Sequence, residues 1–128
     1  MQAIILAAGM GKRLKDLTAD NTKCMVKVNG ITIIERALRI LDSKNLSKIV
    51  IVVGYKAQKL IAFIDSLNVH TPIHYIENEV YMNTNNIYSL ALAKQYLCDE
   101  DTLLLESDIV FEEEIIDILL NDRRSTLA

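Results

Sequence analysis

Two glycines and three basic residues near the start of the chain have the types and spacing needed to bind a phosphate chain. Gly9 and Gly11 lie two apart directly after a short apolar run, and Lys12, Arg13 and Lys23 follow them. Because glycine has no side chain, the backbone N–H groups of such a loop can approach a bound anion closely. The basic side chains would add positive charge around that anion. The spacing therefore predicts a polyphosphate-binding loop.

Two common phosphate-binding loops do not fit this pattern. A Walker A loop requires a Gly-Lys-Ser/Thr sequence, whereas Gly11 is followed by Lys12-Arg13, with no hydroxyl to hold Mg²⁺. The dinucleotide-binding fingerprint requires a third glycine three residues after Gly11, and Leu14 occupies that position. The sequence therefore disfavours both a P-loop protein and a Rossmann dehydrogenase.

A longer pattern surrounds the two glycines. It runs Leu6-Ala7-Ala8-Gly9-x-Gly11-x-Arg13-Leu14, then Thr18, then Lys23-x-Met25-x-x-Val28-x-Gly30. This pattern resembles the signature of the nucleotidyltransferases that make NDP-sugars and CDP-alcohols. Within that superfamily, the segment Asn85-Asn86-Ile87-Tyr88-Ser89-Leu90 is most similar to the phosphocholine cytidylyltransferase branch. Thr22 stands where these enzymes usually have a proline before the lysine.

The resemblance implies a reaction and a role for each residue. An acceptor's phosphate oxygen would attack the α-phosphorus of a nucleoside triphosphate and release pyrophosphate, which requires alignment and charge neutralisation more than covalent work by the protein. Arg13 and Lys23 would be catalytic, Arg13 on the β- and γ-phosphates and Lys23 between the α-phosphate and the acceptor. Asp108 would ligate Mg²⁺. The nucleotide-binding set would be Leu6, Ala7, Ala8, Gly9, Gly11, Arg13, Lys23, Asn85 and Asn86.

Simpler interpretations remain open for some of these residues. Asp108 could merely cap the helix that follows it, and Asn85 and Asn86 could be residues that start a helix. Cys24, next to Lys23, has no convincing histidine partner in the sequence, so we expect it to be a small buried residue rather than a nucleophile.

Three functions compete at this point. The leading hypothesis is an Mg²⁺-dependent cytidylyltransferase that uses CTP and a phosphorylated acceptor such as phosphocholine. The second is a sugar-1-phosphate uridylyl- or thymidylyltransferase, and the third is a non-catalytic nucleotide-binding fragment. Because members of the family typically have about twice this length, residues 1–128 are expected to form the nucleotide-binding half of the domain and to be inactive or weakly active alone.

Composition narrows the class of partner. The chain has 128 residues, 51% of them hydrophobic, and a formal net charge of −3, which suits one globular domain and argues against nucleic acid. Residues 1–27 nevertheless carry a net charge of +3, since this segment contains five basic and two acidic residues. A local positive site in an acidic protein suits a small anion. We expect a cytoplasmic protein without a membrane segment, in which Cys24 and Cys98 stay reduced.

Alternating strands and helices must position these residues. Strands are predicted at Gln2–Leu6, Lys48–Val53, Ile73–Ile76 and Thr102–Glu106, the last with Leu103, Leu104 and Leu105 as its buried centre. A short extended piece closed by a turn at Asn29-Gly30 is predicted at Met25–Val28. Helices are predicted from an N-cap at Thr32 to about Ser43, then at Lys56–Ser66, Thr84–Leu97 and Glu113–Asn121, the last with Ile115, Ile116, Leu119 and Leu120 inward.

This order predicts an α/β fold with a Rossmann-like, doubly wound, mostly parallel sheet of the nucleotide-diphospho-sugar transferase type. The ligand would bind outside the carboxyl ends of the strands, where the loops carrying Gly9, Asn85 and Asp108 would meet. The sheet is expected to be incomplete at its C-terminus. Its unpaired edge would favour a homo-oligomer.

Overall fold

A computed structural model describes residues 1–8, 23–80, 86–97, 100–107 and 111–122, without the side chains of Lys23, Asn86 and Ile87. The strands are β1 (Gln2–Ala7), β2 (Lys27–Val28), β3 (Ile31–Thr32), β4 (Ile49–Val53), β5 (Ile73–Glu77) and β6 (Thr102–Glu106). The helices are α1 (Ile33–Asp42), α2 (Ala57–Ser66), α3 (Asn86–Leu92), α4 (Lys94–Leu97) and α5 (Glu113–Asn121), and a 3-10 turn spans Lys23–Met25.

The main sheet is parallel and has the strand order β5-β4-β1-β6. In its register, Leu6 of β1 lies opposite Val52 of β4 and Glu106 of β6. The chain therefore moves outward from β1 to β5 and then crosses back over β1 to reach β6. This change of direction confirms the predicted doubly wound α/β fold.

Helices cover both faces of the sheet, which explains why β1 and β4 are continuous apolar runs. On one face, the α1-face core joins odd-numbered residues of β1 and β4 to α1, α2 and α5; its largest fully buried members are Ile5, Ile34, Leu38, Leu41, Ile49, Ile51, Leu60, Ile64 and Ile116. On the other face, the α3-face core comprises Ile4, Leu6, Ala8, Val50, Val52 and Ala93. Burying one such aliphatic side chain stabilises the fold by about 1.5–3 kcal/mol.

Local signals place the start of α1 as predicted. Thr32 has extended backbone angles, and its Oγ1 accepts a hydrogen bond of 3.1 Å from the backbone N–H of Glu35. Before it, β2 and β3 form a small antiparallel hairpin whose turn has positive φ at Asn29 (54°) and Gly30 (83°), angles that favour Asn and Gly. Of the extended piece predicted over Met25–Val28, only Lys27–Val28 form a strand, whereas Met25 lies in the 3-10 turn; β3 was not predicted.

The predicted helix Thr84–Leu97 is not continuous over its described part. It breaks at Ala93 into α3 and α4, and residues 84 and 85 lie outside the described residues. The backbone N–H of Ala93 bonds the Leu90 carbonyl at 3.0 Å, which tightens the turn. This tightening accompanies full burial of Ala93, and the Tyr96 carbonyl, one turn on, accepts from the buried Gln2 side chain.

Two predicted core positions are exposed. Leu104 in β6 is 46% exposed and Ile115 in α5 is 39% exposed, whereas Leu103 and Ile116 are buried as expected. Leu104 lies on the face of β6 that is turned away from the α1-face core. Within the described residues β6 is an edge strand that pairs only with β1, and this face of it is not covered. The bounds of β6 and α5 match the prediction, but their burial was overestimated.

Ionic contacts gather at the amino-terminal edge of the sheet. Glu100 lies 2.7 Å from the Met1 ammonium and 3.1 Å from Lys48 Nζ, and it accepts from Ser47; these contacts lower the pKa of Glu100 to about 2. Hydrogen bonds to Asp117 and Glu113 raise the pKa of Lys44. The Glu100 contacts join the residues that precede β1, β4 and β6, whereas the Lys44 contacts join the α1–β4 connection to α5. Among the helices that the structure describes, none has the length and apolar character required to span a bilayer.

Candidate functional site

The carboxyl ends of β1 and β6 border the position where the winding of the sheet reverses. In doubly wound sheets the crevice outside the strands at this switch point is where ligands bind. Here it is bordered by Ala7 and Ala8 at the end of β1 and by Ser107 directly after β6. Both loops predicted to carry phosphate and metal ligands, residues 9–22 and 108–110, leave from these two strands.

The start of the loop after β1 is anchored to the neighbouring strand connection. Leu6, Ala7 and Ala8 are buried, and the Ala8 carbonyl accepts a 3.1 Å hydrogen bond from the backbone N–H of Tyr55, just after β4. The ammonium of Lys56 lies 5.8 Å from the centroid of the Tyr55 ring, within the range of a cation–π contact. Three of the predicted nucleotide-binding residues thus lie at the carboxyl edge, with a tyrosine and a lysine beside them that the sequence analysis did not select.

The backbone of Lys23 lies in the 3-10 turn that precedes the β2–β3 hairpin. The next residue, Cys24, is fully buried in the α1-face core, as expected of a small structural residue. The turn contacts α1, whose Ile33 N–H bonds the Val26 carbonyl at 3.0 Å. Since α1 runs from the carboxyl edge back to the amino edge, this packing holds the backbone of Lys23 at the carboxyl edge.

A buried polar pair closes the connection between β5 and α3. The Asn78 side chain donates to Ser89 Oγ at 3.2 Å and accepts from the Val80 N–H at 3.1 Å, while its backbone N–H bonds the Val53 carbonyl at 2.7 Å. Asn78 is 1% exposed and Ser89 is 3% exposed. The pair therefore fixes both ends of residues 79–88, the segment in which base-reading residues are predicted.

Ser107 is the second buried serine of the carboxyl edge, and it differs from Ser89. Its side chain is 4% exposed, and within the described residues its Oγ has no hydrogen-bond partner. Ser107 directly follows Glu106, whose partner in the register of β1 and β6 is Leu6. A buried hydroxyl without a partner thus lies at the switch point.

Most of the predicted site residues, or their side chains, lie outside the part of the chain that the structure describes. These are Gly9, Gly11, Arg13, Asn85, Asp108 and the side chains of Lys23 and Asn86. Among the described residues, no cluster of three His, Cys, Asp or Glu side chains could hold a metal ion. The shifted pKa values of the described groups Asp42, Lys44, Tyr75 and Glu100 do not mark the carboxyl edge. The Asp108 and Mg²⁺ assignments therefore stay predictions.

Sequence reasoning missed Asn78 and Ser107 as members of this edge. Asn78 lies between a predicted strand and a predicted helix, and its only sequence signal is that it directly follows β5. Ser107 precedes the candidate metal ligand by one residue, which was a usable signal. Whether a buried serine hydroxyl has a hydrogen-bond partner depends on contacts between distant parts of the chain, and this distinguishes Ser89 from Ser107.

Comparisons with known proteins agree with this arrangement. Residues 3–128 match the family described as the MobA-like NTP transferase domain. The choline-phosphate cytidylyltransferase of Haemophilus influenzae is 36% identical over 115 residues, covering 90% of this chain and 47% of that protein. The UTP–glucose-1-phosphate uridylyltransferase of Haloferax volcanii is 33% identical over 123 residues, covering 96% of this chain and 49% of that protein.

A solved structure shows the same fold. The CTP:phosphocholine cytidylyltransferase of Streptococcus pneumoniae superimposes with a TM-score of 0.73 at 34% identity, covering 84% of this chain and 44% of that one. The chain therefore spans about half the length of the relatives that it matches. The matched range, the relatives and the doubly wound sheet together show that this chain belongs to the MobA-like NTP transferase domain family.

Proposed function

We propose that this chain is the nucleotide-binding half of a nucleotidyltransferase that transfers CMP from CTP to a phosphorylated acceptor such as phosphocholine and releases pyrophosphate. The observation that carries the proposal is the position of Leu6, Ala7 and Ala8. They begin the signature and end β1 at the switch point, so the glycine loop leaves the sheet where a doubly wound fold binds its ligand.

The protein would accelerate the transfer mainly by aligning the substrates and neutralising the charge on their phosphates. The backbone of Leu6 to Gly9 would hold the base and ribose, and the Gly11 amide with the Arg13 guanidinium would hold the β- and γ-phosphates. Lys23 would neutralise charge that develops between the α-phosphate and the incoming acceptor oxygen. The anchoring of Cys24 in the core and of Ala8 on Tyr55 supports these roles, since both fix the backbone from which the loop extends.

Mg²⁺ belongs to the proposal through Asp108, which follows β6 by two residues. One carboxylate with substrate phosphates and waters is a usual environment for Mg²⁺, and the ion would neutralise phosphate charge when bound. We also propose a cytoplasmic location, in line with reduced cysteines and a nucleoside triphosphate substrate.

A sugar-1-phosphate uridylyltransferase is the second candidate. The observation that favours it is the 33% identity to the Haloferax volcanii enzyme, close to the 36% shared with the choline-phosphate cytidylyltransferase. The Asn85-Asn86-Ile87-Tyr88-Ser89 segment supports the cytidylyltransferase instead. A non-catalytic nucleotide-binding fragment is the third candidate, because the acceptor pocket of the relatives can lie in the half that this chain does not span.

Isothermal titration of residues 1–128 with CTP, UTP, dTTP and ATP, each with and without Mg²⁺, tests the proposal. We expect CTP to bind most tightly and Mg²⁺ to strengthen it. Arg13→Ala should abolish most of the affinity and Asp108→Asn should remove the Mg²⁺ effect, whereas Lys94→Ala, which removes an exposed charge on α4, should change neither. Tightest binding of UTP or dTTP would favour the sugar-1-phosphate enzyme. A folded chain that binds no nucleotide would refute the proposal.

A further inference from the structure

The two buried serines at the carboxyl edge of the sheet have opposite hydrogen-bonding states. Ser89 Oγ accepts from Asn78 Nδ2 at 3.2 Å, whereas Ser107 Oγ has no partner within the described residues, although the side chain is only 4% exposed. A hydroxyl taken out of water without a partner costs free energy. A well-packed interior would place alanine at position 107, so the presence of serine there requires a reason.

The place of Ser107 in the sheet points to a ligand. It directly follows Glu106, the last residue of β6, which pairs with Leu6 of β1, and it therefore lies at the carboxyl end of a strand that borders the switch point. Leu103 and Leu105 of β6 belong to the α1-face core and its margin. The 3-10 turn that carries Lys23 also packs on that face of the sheet, against α1. Ser107 thus lies at the same carboxyl edge as the end of β1, from which the predicted phosphate-binding loop leaves.

We infer that the Ser107 hydroxyl is a ligand-binding group that hydrogen-bonds a nucleoside triphosphate held between the carboxyl ends of β1 and β6. This inference rests on the proposed function, since it requires the nucleotide to occupy that crevice. The buried hydroxyl has no partner among the described residues of the free protein, and it acquires one when the nucleotide binds. A group arranged in this way raises affinity at the expense of the stability of the free fold.

The inference predicts opposite effects on stability and on binding. Ser107→Ala should leave the melting temperature of the free chain unchanged or raise it, because the variant removes an unpaired buried polar atom. The same variant should weaken CTP binding about tenfold or more, the effect of losing one hydrogen bond to a charged ligand. A purely structural hydroxyl would do the reverse: its loss would lower the melting temperature and leave affinity intact.

Thermal unfolding and isothermal titration with CTP, both on residues 1–128, provide the test. Ser89→Ala is the matched control for stability, because it removes a partnered buried serine at the same edge and should lower the melting temperature. Ser43→Ala is the control for affinity, because Ser43 ends α1 at the opposite edge and its exposed hydroxyl bonds only the local Ile40 carbonyl in the described structure.

Three results would overturn the inference. One is a Ser107→Ala chain that binds CTP as tightly as the unaltered chain, which would leave the proposed function standing. Another is a melting temperature lowered as far as in Ser89→Ala, which would show that the hydroxyl is paired within the free fold. The third is a folded, unaltered chain that binds no CTP, which would count against the proposed function as well.

Discussion

Removing the hydrogen bond between Asn78 and Ser89 should destabilise the fold and loosen the segment between β5 and α3. Asn78→Ala removes both the bond to Ser89 Oγ and the bond from Val80 N–H, and it leaves a buried hydroxyl unpaired. At about 0.5–1.5 kcal/mol for each net bond plus the desolvation cost of the orphaned hydroxyl, we expect a loss of about 2–4 kcal/mol in the free energy of unfolding. Ser89→Ala removes one bond and should cost about 1–2 kcal/mol.

A double-mutant cycle separates the bond from the other effects of the two substitutions. If the two side chains interact as observed, the double variant should lose about 1 kcal/mol less than the sum of the single losses. Urea unfolding followed by circular dichroism gives all four free energies. Ser43→Ala, whose exposed hydroxyl bonds a carbonyl three residues away, is the control and should change stability by less than about 0.5 kcal/mol. Additivity of the two single losses would refute the reasoning.

The same variants connect the pair to function. Residues 79–88 lie between Asn78 and Ser89, and they include Asn85 and Asn86, which we propose to read the base. A looser segment must be ordered on binding, which lowers affinity. Asn78→Ala should therefore bind CTP more weakly than Ser43→Ala does, under conditions where both variants are folded. Equal affinities would show that the pair supports the fold alone.

Two further predictions concern the edges of the sheet. The pKa of Glu100 is about 2 in the folded chain, below its ordinary value of 4.5, so its ionised form stabilises the fold above about pH 4.5 and this contribution is lost as the pH falls towards 2. Glu100→Gln should therefore flatten the fall in melting temperature between pH 5 and about pH 2; parallel curves for both proteins would contradict this. In the described sheet β6 is an edge strand, and its exposed Leu104 should support association of two copies. Sedimentation should therefore show a concentration-dependent dimer that Leu104→Lys abolishes. An equal dimer fraction in the variant would exclude this edge as the contact.

Local sequence patterns determined where most elements lie. The β-branched run Ile49-Val50-Ile51-Val52-Val53 can be satisfied only by a strand covered on both faces, and β4 has those bounds. Thr32 with Glu35 placed the start of α1, because an N-cap acts within one turn. The family signature was also readable, since its residues follow one another along the loop after β1.

The tertiary structure decided the burial of side chains, the break in the helix and the hydrogen-bond partners, because these depend on residues that are distant in the sequence. Leu104 looks like a core residue in the sequence, but it is exposed because the described sheet has no further strand or helix over it. The break at Ala93 arises where a helix packs against the α3-face core, a contact that helical periodicity does not encode. Asn78 and Ser89 meet across ten intervening residues, and the burial of Ser107, whose hydroxyl has no partner among the described residues, depends on the packing at the end of β6. A sequence specifies the groups that a site can use, whereas packing and strand register decide which of them are buried, paired or left for a ligand.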